Sequence, residues 1–245
     1  MSDEFDGTTL DTGTWLPHYL PAWSSRAATR ATYEVRDSCL RLSVPPEQAV
    51  WCDGDHEPPL RVSAVQSGNF SGPAGSTVGQ QPYRPGLRVR EAQPLFRGSL
   101  PHHGYLEMRA RMVLTPRSMA AWWMVGFEDD PAHCAEICVA EVFGKAVEPG
   151  VSAEVGMGLH AFRDPHTRED FAAPRLPIDV SEFHTYAVDW TPTRATFLVD
   201  GEPVRECPDP PDYPMQHMIA VFDFPGWPSD DPTTPELVVD HLREG

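Results

Sequence analysis

The sequence has no excess of positive charge, no paired-cysteine metal motif, no membrane-length apolar run and no long amphipathic helix. The 36 Asp and Glu against 19 Lys and Arg leave a formal charge of −17. A surface that acidic repels phosphate backbones, so nucleic acid is not an expected partner, and strongly sulfated glycans are disfavoured. The five cysteines, Cys39, Cys52, Cys134, Cys138 and Cys207, include no CxxC pair, which removes a zinc ribbon. An odd count leaves at least one thiol unpaired. Cys39 and Cys52 form either a loop disulfide or part of a set of buried free thiols. No apolar run is long enough to cross a bilayer, and the first seven residues carry no leader-like stretch, so no membrane partner is expected. Either the chain stays in the cell or an export signal lies outside this sequence.

What is present is a chain of 245 residues with 27 prolines and 18 glycines, a composition that favours turns over long helices. Strand-like segments recur between turn signals: Ala31–Val35, Leu40–Val44, Tyr105–Leu114, Trp122–Phe127, Glu136–Phe143, Ala153–Leu159, His184–Trp190, Ala195–Val199, Met218–Phe222 and Leu237–Leu242. In Tyr105–Leu114, Leu106, Met108, Ala110 and Met112 share one face, while Glu107, Arg109 and Arg111 share the other, as in a half-buried strand. Asp200-Gly201 between two such runs reads as a mirror-type hairpin turn. Many strands joined by hairpins predict an all-β sandwich of two sheets, folded as one domain over residues 1–245. Residues 45–100 hold little regular structure beyond Leu60–Gln66, but Trp51, Phe70, Tyr83 and Phe96 give them anchors. They are expected to form the wall of a cleft.

Chemistry concentrates in Ala135-Glu136-Ile137-Cys138-Val139-Ala140-Glu141-Val142-Phe143-Gly144. Glutamate is depleted in strands, and a buried unpaired charge is costly, so two of them among apolar residues call for a reason. Strict alternation would place Glu136 and Glu141 on opposite faces. One β-bulge at Val139–Ala140 resets the register and puts both on the face of Cys138. The bland alternative is two exposed glutamates on an edge strand.

The segment Glu136-Ile-Cys-Val-Ala-Glu141 resembles the Glu-x-Asp-x-x-Glu signature of glycoside hydrolase family 16, the laminarinase and β-glucanase family. Further stretches match in order: Gly104-Tyr-Leu-Glu-Met-Arg-Ala-Arg, Ala120-Ala-Trp-Trp-Met, Phe183-His-Thr-Tyr-Ala-Val-Asp-Trp-Thr-Pro with Phe197-Leu-Val-Asp-Gly, and Val238-Val-Asp-His-Leu-Arg. The resemblance implies a β-jelly-roll sandwich of two antiparallel sheets, concanavalin A-like, with a concave glycan cleft. It implies a retaining endo-glycosidase acting on a β-linked polysaccharide, with β-1,3- or β-1,3/1,4-glucan first and galactan cleavage or transglycosylation as alternatives. Glu136 matches the nucleophile and Glu141 the acid/base. Cys138 stands where the family has an aspartate that modulates the nucleophile, and a thiol is a weaker, normally neutral donor. That departure also allows a rival from another class, a non-catalytic glycan-binding protein.

Trp123 matches the cleft tryptophan, and His160 a histidine near the acid/base. Trp51, Tyr83 and Arg88 in the long loops, Glu107 on its strand and Trp227 at one cleft end are further substrate-binding candidates, each with a packing or solvent-facing alternative. No cofactor is required. A structural calcium is allowed, with Asp240 where one ligand would lie, although calcium needs six to eight oxygens. The expected partner is a polysaccharide, bound by a monomer, and such a substrate would favour secretion.

Overall fold

The computed structural model describes residues 1–245. Thirteen strands and the two-residue strand Ser2–Asp3 build two antiparallel sheets. In chain order the thirteen are β1 (Thr32–Arg36), β2 (Cys39–Ser43), β3 (Arg61–Gln66), β4 (Gly104–Val113), β5 (Ser118–Gly126), β6 (Glu136–Phe143), β7 (Gly156–His160), β8 (Asp170–Ala172), β9 (His184–Thr191), β10 (Arg194–Val199), β11 (Glu202–Pro208), β12 (Met215–Asp223) and β13 (Glu236–Glu244). One sheet runs β11-β10-β9-β4-β13-β2-β1, with Ser2–Asp3 paired to β13. The other runs β8-β7-β6-β5-β12-β3. Together they form the two-sheet sandwich that the strand pattern predicts, in the jelly-roll arrangement that the resemblance implies.

The main core lies between the sheets. Leu106, Met108, Ala110 and Met112 of β4 meet Trp122 and Met124 of β5, Ile137 and Val139 of β6, and Ile219 and Val221 of β12. A second apolar layer covers the other face of the six-stranded sheet: Ala121, Trp123, Val125, Cys138, Met218, Ala220 and Phe222 pack with Trp51, Leu60, Leu87 and Val89 from the loops. The central strands of this sheet are therefore buried on both faces. That is why Met119–Val125 reads as a continuous apolar run rather than an alternating one.

Segments of residues 45–100 outside β3 pack on this second face through Trp51, Leu60, Leu87 and Val89. Buried glutamines bind them to the sheet: Gln80 Nε2 donates to Phe127 O (2.9 Å) and Gln216 Oε1 (3.0 Å), while Trp23 Nε1 donates to Gln80 O (2.7 Å). All five cysteines are free and buried, so Cys39 and Cys52 form no disulfide. The Asp200-Gly201 turn is as the sequence predicts, with φ of 51° and 80°, both in the left-handed range that a mirror-type turn needs.

Candidate active site

The site grows from one irregularity in β6. Against β5, Glu136 faces Val125, Cys138 faces Trp123 and Glu141 faces Ala121, with a register shift between Trp122 and Trp123. Trp122 pairs with Ala140 and Trp123 with Cys138, so Val139 is the extra residue of a bulge. Val139 and Ala140 both turn into the inter-sheet core. Glu136, Cys138 and Glu141 consequently share the opposite face, where they line an open groove with Trp123, His160, Gln81 and Tyr19.

Glycines make room for this arrangement. Gly158, opposite Cys138, has φ +138°, and a Cβ there would lie 2.2 Å from Asp170 O. Gly156, opposite Glu141, lets the Phe171 ring approach; a Cβ would lie 2.6 Å from that ring and 3.3 Å from Glu141 Cβ. These close approaches require the two glycines.

Burial raises both carboxyls. Burial and the neighbouring Glu141 charge push Glu136 up to about 8, against the opposing hydrogen bond from Gln81. Burial also raises Glu141, but His160 opposes it. Cys138 is pushed well above the ordinary thiol range by burial and by both glutamates, so it is a neutral thiol. Its hydrogen-bond partner is Gly156 O at 3.9 Å, not Glu136. Thiolate chemistry has no basis here.

The side chain that does reach Glu136 is Gln81, whose Nε2 donates to Oε1. Gln81 sits at φ +44°, outside the usual range for its type. Its backbone N–H donates to Glu128 Oε1 (2.6 Å), and Arg163 donates to Glu128 Oε2 (2.7 Å). Glu128 is buried, which pushes it up to about 7 against those two donors. Gln81 Oε1 is buried without a partner. Neither Gln81 nor Glu128 carries a periodic or motif signal in the sequence.

The other candidates divide. Trp123 lies on the groove floor, and its Nε1 has no partner. His160 lines the groove, stacks on Phe171 at 4.4 Å and bonds Glu169 through Nδ1 at 2.7 Å. Trp51 and Tyr83 line an adjoining pocket, which shares Tyr19 and Gln81 with the groove. Trp227 stacks on the groove residue Phe224 at 4.4 Å, at the Phe143 end.

Three candidates lie elsewhere. Glu107 is on β4 in the other sheet, facing His241 and Arg243 (3.4 Å each). Its polar face is an outer face rather than the groove. Arg88 is exposed and donates to Gly75 O at 2.7 Å. Asp240 accepts from Arg109 (3.0 Å) and lies 3.0 Å from His241 Nδ1. A carboxylate held by a guanidinium and an imidazole does not fit calcium, which needs a cage of oxygens.

Comparison with known proteins places this geometry. The family model described as glycosyl hydrolases family 16 matches residues 99–241. Among solved structures, the GlcNAcα1-4Gal-releasing endo-β-galactosidase from Clostridium perfringens matches at TM-score 0.80 and 26% identity, over 100% of this chain and 61% of that one. The chain thus spans about three fifths of that protein's length. The catalytic domain of an endo-1,3-β-glucanase (laminarinase) from Thermotoga petrophila matches at TM-score 0.69 and 16% identity, over 99% of this chain and 95% of that one. The endo-β-1,3-glucanase from Pyrococcus furiosus matches at TM-score 0.69 and 15% identity, over 99% and 92%. The last two likenesses speak to fold alone. No curated protein sequence gives a significant match.

Proposed function

The chain belongs to glycosyl hydrolase family 16, and on that premise we propose that it is a retaining endo-glycosidase acting on a β-linked polysaccharide. The observation that carries the proposal is the bulge that puts Glu136 and Glu141 on one side of β6, in a groove floored by Trp123. In the first step a Glu136 oxygen bonds the anomeric carbon as the bond to the leaving oxygen breaks, and Glu141 gives its proton to that oxygen. In the second, Glu141 takes a proton from water, the water oxygen bonds the anomeric carbon, and the bond to Glu136 breaks. Attack needs Glu136 charged. The Gln81 amide, a donor to that oxygen, favours the charged form. It performs here the service that a carboxyl at position 138 performs in the family pattern, and Cys138 serves as a small, neutral spacer.

A sugar ring would stack its apolar face on Trp123. The pocket beyond Gln81, walled by Tyr19, Trp51 and Tyr83, would take the next unit on the Glu136 side. For the sugar itself, the sequence resemblance favours β-glucan. The likeness to the Clostridium perfringens endo-β-galactosidase, higher in both TM-score and identity than that to the laminarinases, favours β-galactosides.

The test is incubation with laminarin, lichenan, agarose and galactan, beside Glu136→Gln. New reducing ends from the native protein on at least one glycan, absent with the variant, are expected. Binding without cleavage across the pH range would overturn the proposal in favour of a glycan-binding protein.

A further inference from the structure

Away from the groove, two histidines and an aspartate converge where the two sheets meet. His102 and His103 lead into β4, and Asp212 lies in the loop leading into β12. A backbone hydrogen bond from Met215 N to Pro101 O (3.0 Å) holds the two segments side by side. Consecutive residues on an extended chain point apart. Here His103 has φ +67°, and the two rings lie 4.2 Å apart, on the same side of the chain. Trp190 packs against both rings, with centroids at 5.8 and 5.0 Å, and its Nε1 donates to Pro211 O (3.0 Å), which fixes the residue before Asp212.

His102 Nε2 is 2.7 Å and His103 Nε2 3.2 Å from the same oxygen, Asp212 Oδ1. One donor atom from each residue falls within a span of 4.8 Å. A tetrahedral ion with bonds of ~2.0–2.1 Å holds its donors roughly 3.3 Å apart, so small rotations of these side chains would suffice. His103 Nε2 supplies a second observation. The atom itself is screened from solvent and has no hydrogen-bond partner, although the side chain is 24% exposed and Asp212 Oδ1 lies 3.2 Å away. An ion seated between the two rings and the carboxylate would satisfy it.

We propose that His102, His103 and Asp212 form a binding site for a divalent transition metal of the zinc class. Two imidazole nitrogens and one carboxylate suit zinc, whereas calcium and magnesium prefer oxygen alone. Asp212 also lines an open polar pocket with His133, His166 and Asp209. The ion would join the entry of β4 in one sheet to the entry of β12 in the other, and binding only the folded state would stabilise it.

The experiment uses tag-free chain stripped with EDTA and titrated calorimetrically with zinc chloride, followed by thermal melts with and without zinc. Native protein is expected to take up one equivalent and to melt at a higher temperature with zinc. Asp212→Asn and His102→Ala, at exposed positions, are each expected to lose that equivalent and the shift, while retaining the circular dichroism spectrum and the zinc-free melting temperature. His103→Gln should behave likewise. No uptake at millimolar zinc, or uptake unchanged in the three variants, would overturn the proposal.

Discussion

Gln81 is the one side chain that donates a hydrogen bond to Glu136. A hydrogen bond to a charged group is worth ~1.5–3 kcal/mol, so Gln81→Ala is expected to lower kcat/KM at neutral pH by roughly 10- to 100-fold. The pH profile makes the assignment specific. On the proposed mechanism attack requires the charged form of Glu136, which is present above its pKa, and burial already pushes that pKa up. Removing the donor raises it further, so the acidic limb of the profile should move to higher pH. A profile unmoved in Gln81→Ala would remove Gln81 from the account. The residue scale also shows what the sequence conceals. Two glutamates in an apolar strand declare themselves, because that location is costly without a purpose. Gln81 lies between Gln80 and Pro82 in a loop without periodicity, and its contact with a residue 55 positions away exists only once the loops close over the sheet. Alternation placed Glu107 on the polar face of its strand correctly, but it does not say which of two sheets has its outer face built into a groove.

At the scale of elements, the bulge at Val139 is legible because only an odd insertion lets two carboxyls five positions apart share a face. The glycines opposite it are not, since their necessity comes from Phe171 and Asp170 on β8, two strands away from β6. Gly158→Ala combines a positive φ with a Cβ 2.2 Å from Asp170 O. It is expected to cost about 2–4 kcal/mol in urea unfolding. Gly75→Ala, also at positive φ (+88°) but in open space, should cost only about 1 kcal/mol. Equal costs would mean that backbone conformation alone, and not the packing of β7 against β8, is at stake. Strand limits follow the same logic. Glu136–Phe143 is bounded as the sequence predicts. β5 begins at Ser118 rather than Trp122 because a strand buried on both faces loses the alternation that marks its start. The predicted Ala153–Leu159 strand is two pieces, Ser152–Glu154 and Gly156–His160.

Across the whole molecule, the two sheets are joined by polar as well as apolar contacts. Glu244, near the end of β13, accepts from His217 of β12 (2.9 Å) and from Ser99 (2.7 Å), and Trp122 Nε1 donates to the other nitrogen of His217 (3.2 Å). Burial pushes the Glu244 carboxyl up, but His217 and Ser99 outweigh it and hold it at about 2. A carboxyl depressed on folding adds stability above its unfolded pKa, and that stability is lost as pH falls towards the folded value. Glu244→Gln is therefore expected to destabilise by roughly 1–3 kcal/mol at pH 7 and by progressively less from pH 4.5 towards 2, read by urea unfolding. A cost independent of pH would mean that the side chain acts through shape rather than charge. The acidic surface, the jelly roll and the groove all fit a neutral glycan chain lying across the six-stranded sheet, with bond cleavage confined to β6. The most direct test of that claim is proton NMR of the first product released from whichever glycan the panel identifies. The account predicts that the new reducing end appears first as the β-anomer, retaining the configuration of the bond cleaved, and that Glu136→Gln forms none. An α-anomer appearing first, or unchanged turnover in Glu136→Gln, would contradict it.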